Sequence, residues 1–314
     1  MDTRKVGHSG LSVSAIGLGC VDFGGRLDAK GSAGLVGAAL DQGVTLFDTS
    51  DNYCAGRSEE ILGGALGSRR NEVIINSKFT GSVGQYRADG SRSFVIRSCE
   101  ESLKRLGTDY IDLYSIHHPD PDTPIAETLD ALDGLVKQGK VRYIGSSNLP
   151  GWQIADAEHT ARGAGGQRFI AAQMEWNLLQ RSPESEIIPA CNHYDIGIMP
   201  FYPIASGLLT GKYRRGESFP KGSRFADIEY YASVATPQNL DRVEKLISFA
   251  ADRGRSILEL AMTWLGSRPG VSSILIGASR AEQIASNVAA LGDWLTDNDL
   301  DCLDELLGFA EPGD

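Results

Sequence analysis

The sequence of 314 residues predicts an α/β fold in which eight parallel strands close into a (β/α)8 barrel, also called a TIM barrel. Short apolar runs recur along the chain, and segments with helical spacing separate them. The number of runs matches the number of strands that closes this barrel; the runs are 15–18, 44–47, 73–75, 111–116, 141–144, 171–174, 196–199 and 273–276. An open, doubly wound sheet is the alternative arrangement of the same elements.

The segment 91–107 illustrates the helices between these runs. Val95, Cys99 and Leu106 share one face at helical spacing, and Gly107 follows as a residue that can end a helix. Alternation of such helices with the apolar runs is what favours parallel strands.

Two segments lie outside this alternation. The runs 4–6 and 11–13, on either side of 7–10, predict an N-terminal β-hairpin before the first barrel strand. After the seventh strand, the insert 211–236 is rich in Gly, Lys, Arg and Tyr, too polar for core and too long for a simple connection. We expect it either to fold over a bound ligand or to be a disordered surface excursion. All of 1–314 is expected to form a single barrel domain.

Composition excludes several classes of function. Hydrophobic residues make up 41% and charged residues 23% of the chain, and no stretch approaches the ~20 apolar residues of a membrane helix. A net charge of -11 opposes binding to nucleic acid, which needs a concentrated basic face. Arg4 and Lys5 are not followed by an apolar segment, so no secretory signal is expected and a cytoplasmic location is predicted.

The five cysteines suggest neither a disulfide framework nor a metal site. They are odd in number, scattered, and form no C-x-x-C pair. His193 lies two residues after Cys191, but two candidate ligands do not define a zinc site. We therefore predict no metal.

Four ionisable residues, Asp48, Tyr53, Lys78 and His117, lie at or just beyond the ends of the second, third and fourth predicted strands. Chemistry in such a barrel collects at the carboxyl ends of the strands, where side chains from separate strands meet. The set suits carbonyl reduction: the lysine ammonium lowers the pKa of the tyrosine, which then donates a proton. The aspartate holds the lysine charged, and the histidine orients a substrate oxygen.

On a longer set of motifs the chain resembles the aldo-keto reductases. The matching segments follow one another in order along nearly the whole sequence; they are 47–53, 56–59, 77–79, 112–117, 145–148, 173–177, 203–212 and 276–279. The resemblance implies that hydride passes from a reduced nicotinamide to a carbonyl carbon while Tyr53 protonates the oxygen. It assigns Lys78 and Asp48 to tuning Tyr53, and His117 to positioning the carbonyl. The adjacent His118 is set aside because strand neighbours point opposite ways and the family spacing from Asp112 selects His117.

The resemblance also implies a set of cofactor-binding residues. Side-chain hydroxyls and amides supply the donors and acceptors that a nicotinamide carboxamide needs. Phe201 stands where family members commonly stack a tyrosine on the nicotinamide ring, so the flat apolar face is kept and the hydroxyl is lost. The positions carried over are Asp48, Ser147, Asn148, Gln173 and Phe201, together with Gly207, Leu208 and Lys212 around the pyrophosphate.

The phosphates are expected after the eighth strand. No G-x-G-x-x-G follows the first strand, which argues against a Rossmann domain. After the eighth strand a short segment leads into a predicted helix, whose free N–H groups suit an anion. A guanidinium at this point suits a 2′-phosphate and favours NADP over NAD. The residues assigned to this site are Gly277, Ser279, Arg280, Gln283 and Asn287.

The sequence therefore predicts an NADPH-dependent oxidoreductase that reduces an aldehyde or ketone, with a small-molecule carbonyl as its partner. One alternative is a sugar or polyol dehydrogenase working in the oxidative direction. Another is a non-catalytic nicotinamide-sensing subunit, like the β subunits of potassium channels in this family; the complete tetrad and the short segment before the barrel disfavour it. The substrate pocket is expected to be walled by Cys20, Asp22, Phe23, Tyr86 and 119–124, together with the insert, and Asp22 and Arg87 could contact a sugar hydroxyl or a carboxylate. The strand pattern leaves the oligomeric state unknown.

Overall fold

A computed structural model describes residues 1–79 and 88–309. Eight parallel strands form a closed barrel in the order β10-β3-β4-β5-β6-β7-β8-β9, so the predicted barrel is confirmed and the open sheet is excluded. The barrel strands are β3 (Ile16–Gly19), β4 (Leu46–Asp48), β5 (Ile74–Phe79), β6 (Ile111–Ile116), β7 (Val141–Ser147), β8 (Phe169–Glu175), β9 (Gly197–Phe201) and β10 (Ile274–Ile276).

Helices surround the barrel. Its outer layer and connections are α1 (Ala29–Asp41), α2 (Arg57–Leu66), α3 (Arg92–Leu106), α4 (Ile125–Lys137), α5 (Gly151–Ala164), α6 (Ile187–Tyr194), α7 (Arg224–Asp227), α8 (Glu229–Ala232), α9 (Pro237–Ala251), α10 (Ile257–Gly266), α11 (Ala281–Ala290) and α12 (Asp297–Leu307). The helix predicted over 91–107 is α3, and Gly107 ends it in the left-handed region with φ 62°. Within residues 1–79 and 88–309, no helix has both the length and the hydropathy needed to cross a membrane.

The predicted N-terminal hairpin closes one end of the barrel. Strands β1 (Thr3–Lys5) and β2 (Ser12–Ser14) pair antiparallel. Val6, Leu11 and Val13 belong to one buried cluster with Leu46, Leu113, Met199 and Leu275 from the barrel strands. This cluster fills the lower part of the barrel with apolar side chains, so polar groups inside the barrel are found nearer the carboxyl ends of the strands.

Strand alternation explains how charged groups enter the interior. Along β5, Ile74 packs against the cluster inside the barrel, whereas Ile75 and Phe79 pack in the outer core toward the helices. Successive side chains of a strand point to opposite faces. Asn76 and Lys78 therefore share the inner face with Ile74, one and two steps closer to the carboxyl end.

The insert after β9 is a structured bridge. It contains α7 and α8, and Tyr213 and Phe225 stack at 4.0 Å with an interplanar angle of 6°. Both rings are buried, which corrects the expectation that this segment is too polar for core. Arg224 pairs with Asp22 at 2.5 Å, so the insert is tied to the loop after β3. It therefore links two sides of the barrel mouth.

Candidate active site

Asp48 and Lys78 form a buried ion pair at the carboxyl end of the barrel. Lys78 Nζ donates to Asp48 Oδ2 at 2.7 Å and to the carbonyl oxygen of Thr49 at 2.8 Å. The lysine side chain is only 1% exposed, and the aspartate is also buried. The other carboxylate oxygen accepts from Asn76 Nδ2 at 2.6 Å and from Gln173 Nε2 at 2.8 Å. These contacts hold the ammonium in one position.

Tyr53 reaches the same ammonium from a strained turn. It begins the 3₁₀ helix Tyr53–Gly56, in which Cys54 and Ala55 have positive φ angles of 50° and 54°. Left-handed conformations in non-glycine residues cost about 1–3 kcal/mol each and persist where the surroundings enforce them. The turn places Tyr53 Oη 3.3 Å from Lys78 Nζ. Three of the four predicted side chains therefore meet around one nitrogen.

The pKa shifts of Tyr53 and Lys78 differ in part from the expectation. Burial raises the pKa of the Tyr53 phenol; the Lys78 charge lowers it but does not outweigh burial, so the net shift is upward. Lys78 thus lowers the pKa of Tyr53 as predicted, but this effect is smaller than the effect of burial. Burial lowers the pKa of Lys78, but Asp48 and Tyr53 more than offset it and raise the pKa above its usual value. At neutral pH the site holds a phenol beside an ammonium.

His117 directly follows β6 and faces Tyr53. The two rings are 5.6 Å apart at an interplanar angle of 77°. The His117 backbone N–H donates to the Phe79 carbonyl at 3.1 Å, and Nδ1 lies 3.0 Å from Ser50 Oγ. Burial, followed by the Lys78 and His118 charges, lowers the pKa of His117 well below its usual value. The ring is therefore neutral at physiological pH.

The His118 ring is not separated from His117 by strand alternation. Strand β6 ends at Ile116, so the two histidines lie beyond it, and their rings stack 4.6 Å apart at 15°. The prediction that the two side chains point to opposite faces of a strand is therefore wrong. His118 is less buried than His117, and burial and the Lys78 charge lower its pKa as well.

Ser147, Asn148 and Gln173 lie together beside the tetrad. Ser147 ends β7 opposite Gln173 of β8, and the Asn148 backbone N–H donates to the Gln173 carbonyl at 2.9 Å. Asn148 Nδ2 donates to the His117 carbonyl at 2.9 Å and to Ser147 Oγ at 3.0 Å. The Asn148 Oδ1 acceptor and the Ser147 hydroxyl proton are not used in these bonds. A carboxamide needs one donor and one acceptor, and the Ser147 hydroxyl and Asn148 Oδ1 can supply them, so these side chains fit a nicotinamide.

Phe201 ends β9 on the inner face, where it packs on the cluster inside the barrel. Tyr202 follows with a positive φ of 50°, and its ring lies 5.3 Å from Phe201 at 85°. The Tyr202 ring also contacts Tyr231 of the insert, at 6.2 Å and 82°. An apolar ring face is thus available at the mouth of the barrel, as stacking requires.

The residues assigned to the pyrophosphate lie in and after the 3₁₀ helix Ala205–Thr210. Gly207 has φ 106°, which a side chain rarely tolerates. Leu208 is fully buried, so its side chain belongs to the core and only its backbone is available to a ligand. Lys212 is exposed, with Nζ 4.9 Å from the centre of the Tyr213 ring.

The segment after β10 leads into α11 as expected. Gln283 Oε1 accepts the backbone N–H groups of Ser279 at 2.8 Å and Arg280 at 3.2 Å, so this amide caps the helix. Gly277, Ser279 and Arg280 are exposed and Asn287 is buried. Arg280 forms no ion pair with any residue in the described parts of the chain, so its guanidinium is available to an anion.

Asn76 and Ser50, which the sequence reasoning missed, contact the tetrad through their side chains. Asn76 donates to Asp48 and accepts from Ser115 Oγ at 2.9 Å, which fixes the carboxylate from below. Its position two residues before Lys78, on the same face of a strand, is a signal that could have identified it. Ser50 contacts His117, and no pattern in the sequence marks it.

The expected pocket wall is only partly observed. Cys20 and Phe23 are buried in the outer hydrophobic core, so they do not face an open pocket, and Asp22 is paired with Arg224. Residues 119–124 are partly or fully exposed. Tyr86 and Arg87 lie outside the described residues.

The comparisons with known proteins agree with this barrel. The profile described as the Aldo/keto reductase family matches residues 15–307, and the chain belongs to this family. It is 38% identical over 301 residues to a protein of Oryza sativa subsp. japonica named "Probable voltage-gated potassium channel subunit beta", covering 93% of this chain and 91% of that protein. An Arabidopsis thaliana protein of the same name is 37% identical with the same coverage.

Proposed function

We propose that this protein is an NADPH-dependent oxidoreductase that reduces an aldehyde or ketone, with Tyr53 as the proton donor. The observation that carries the proposal is the position of Lys78 Nζ, 2.7 Å from Asp48 Oδ2 and 3.3 Å from Tyr53 Oη. A buried ammonium in contact with a phenol stabilises the phenolate that remains after the proton has left. The net charge of -11 supports a small-molecule partner over nucleic acid.

When bound, NADPH supplies the hydride that the carbonyl carbon receives. Tyr53 Oη donates its proton to the carbonyl oxygen, and the raised pKa of the phenol keeps that proton in place at neutral pH until it is needed. Lys78 stabilises the resulting phenolate, and Asp48 keeps Lys78 charged. The neutral ring of His117 donates a hydrogen bond that orients the carbonyl oxygen.

The cofactor preference rests on the residues around α11. Arg280 is exposed, has no ion pair among the described residues, and precedes the helix N-terminus, where a phosphate is favoured. Ser147, Asn148 and Gln173 supply donors and acceptors for the carboxamide, and Phe201 supplies an apolar face. Together these features support NADP as the cofactor.

The test is NADPH consumption by the purified protein with aromatic aldehydes, aliphatic aldehydes, diketones and aldoses, with NADH in parallel. We expect turnover to be faster with NADPH. Tyr53→Phe should bind NADPH normally and lose about 10²-fold or more in turnover, because the proton donor is gone. Tyr110→Phe is the matched control, since among the described residues its hydroxyl hydrogen-bonds only to the exposed Asn71. Near-normal turnover in Tyr53→Phe would refute the assignment.

A second function is a nicotinamide-binding subunit of a channel. It is favoured by the two plant relatives, each of which is named as a probable voltage-gated potassium channel subunit beta. Tight NADPH binding without turnover on any carbonyl would support this second function. Faster oxidation of polyols with NADP⁺ than reduction of carbonyls with NADPH would instead favour a dehydrogenase.

A further inference from the structure

We propose that Ser50 is a positioning residue that sets the tautomer of His117, so that the ring presents an N–H to the substrate oxygen. The inference rests on the proposed reductase function and adds a residue to its site. Ser50 is 0% exposed and lies two residues after Asp48, in the segment that follows β4. Its Oγ is 3.0 Å from His117 Nδ1.

The tautomer matters because the His117 ring is neutral. A neutral imidazole carries one proton, on either Nδ1 or Nε2, and the nitrogen without it can only accept. Nδ1 is occupied by Ser50, so Nε2 is the nitrogen left for a ligand. If the proton were on Nδ1, the ring would offer the carbonyl oxygen a lone pair, and no hydrogen bond would form.

The contacts of Ser50 favour donation to the ring. Its single hydroxyl proton has three acceptors within reach: His117 Nδ1 at 3.0 Å, and the Lys78 carbonyl and Asp51 Oδ1 at 3.3 Å each. The Lys78 carbonyl already accepts the Asp51 backbone N–H, and Ser98 donates to Oδ2, the other oxygen of the Asp51 carboxylate. His117 Nδ1 is the nearest of the three acceptors. Within the part of the chain that the structure describes, His117 Nδ1 has no hydrogen-bond partner except Ser50.

The position of the ring does not depend on Ser50 alone. The His117 backbone is held on both sides, by its N–H to the Phe79 carbonyl and by its carbonyl from Asn148 Nδ2. The ring also packs against Tyr53 and His118. Removing the Ser50 hydroxyl should therefore change where the imidazole proton resides while leaving the ring in place.

The test is ring ¹⁵N NMR on the full chain labelled at histidine, with His117→Asn to assign the signals. Wild-type protein should show a protonated Nε2 and an unprotonated Nδ1 from pH 6 to 8. Ser50→Ala should move proton occupancy toward Nδ1, and Ser50→Thr, which keeps a hydroxyl, should restore the wild-type signals. Ser58→Ala is the matched control, because it removes an equally buried hydroxyl that contacts Thr49 and Cys20 instead.

Steady-state kinetics of the Ser50 variants provide a second test. Ser50→Ala should lower kcat about 10-fold, the loss of roughly one hydrogen bond in the transition state, with the KM for NADPH unchanged and activity restored in Ser50→Thr. A wild-type ring protonated on Nδ1, or a Ser50→Ala ring with wild-type signals, would overturn the role of Ser50 and leave the reductase standing. Absence of carbonyl turnover in wild type would overturn the reductase, while the NMR result would still decide the tautomer.

Discussion

Replacement of Asp48 by asparagine removes the charge that balances a buried ammonium and preserves the shape of the side chain. In wild type Asn76 and Gln173 both donate to Oδ1 of the Asp48 carboxylate, and the amide oxygen of the asparagine can still accept from both. The other oxygen, 2.7 Å from Lys78 Nζ, becomes an amide nitrogen that also donates. Lys78, which is 1% exposed, then has no anionic partner at this position.

The magnitude follows from the burial of the lysine. Breaking a buried pair by removing one partner costs about 3–5 kcal/mol, because a charge is left without compensation. Without the Asp48 charge, burial is left as the main influence on Lys78 and lowers its pKa below the usual value in the folded variant. The folded variant then releases a proton that the unfolded chain keeps until about pH 10.4.

The sign of the pH dependence distinguishes this mechanism from simple misfolding. In wild type the pKa of Lys78 is raised, so the stability it contributes is complete below about pH 10.4 and is lost only above it. In Asp48→Asn the unfolded state binds the extra proton between the lowered pKa of the folded variant and about pH 10.4, so the unfolding free energy of the variant rises with pH in that window. The deficit relative to wild type should shrink by about 1.4 kcal/mol per unit.

The assay is urea unfolding at pH 6, 8 and 9.5, followed by tryptophan fluorescence and far-UV circular dichroism, with coincident transitions required. Asp227→Asn is the control: it removes one side of the exposed pair with Arg26 and should cost less than about 1 kcal/mol. The reasoning would be refuted if Asp48→Asn lost less than about 1 kcal/mol of unfolding free energy, or if its deficit relative to wild type did not change with pH.

Three further predictions test other parts of the molecule. His117→Asn should remove the part of the pH dependence of stability that His117 causes. The unfolded wild-type chain binds a proton at His117 below pH ~6.5, whereas the folded chain, in which the pKa is lowered, does not. The unfolding free energy of wild type should therefore fall, relative to the variant, by up to about 1.4 kcal/mol per pH unit below pH ~6.5. Parallel curves in urea titrations would contradict this. Arg280→Ala should raise the dissociation constant of NADPH and leave that of NADH almost unchanged in fluorescence titrations; equal losses would exclude the 2′-phosphate contact. Gly63→Ala places a Cβ 2.2 Å from the Leu106 carbonyl oxygen and should cost about 2 kcal/mol or more, whereas Gly64→Ala, which meets no atom within 4 Å, should gain about 0.5–1 kcal/mol. Similar melting temperatures for the two alanine variants would contradict the packing of α2 on α3.

The elements that carry the tetrad were predictable because their signals are local. Strand β6 has the predicted bounds, since six consecutive buried residues from Ile111 to Ile116 leave no ambiguity about its extent. The approach of Asp48 and Lys78 follows from the barrel itself, in which neighbouring parallel strands bring their carboxyl ends together. Neither inference needs the path of a loop.

Contacts made by loops were not predictable. The bond from Asn148 to the His117 carbonyl depends on a left-handed backbone at Asn148, with φ 60°, which sequence does not specify. The contact between Ser50 and His117 joins residues 67 positions apart outside regular strands. The net pKa shift of Tyr53 is set by burial, a property of the whole assembly, and stacking of Tyr213 on Phe225 hides two rings within a polar segment.

The alternation along β5 means that the strand ladder and the connecting segments of this molecule can change independently in evolution. Lys78 is held by the ladder of the barrel, whereas connections such as 119–124 and the insert lie outside that ladder. Under the proposed function, lengthening or replacing those connections should change which carbonyl compounds fit without disturbing the hydrogen bonds of β4 and β5. Proteins with this barrel can therefore differ in the ligands that they accept while the Asp48–Lys78 pair stays in place.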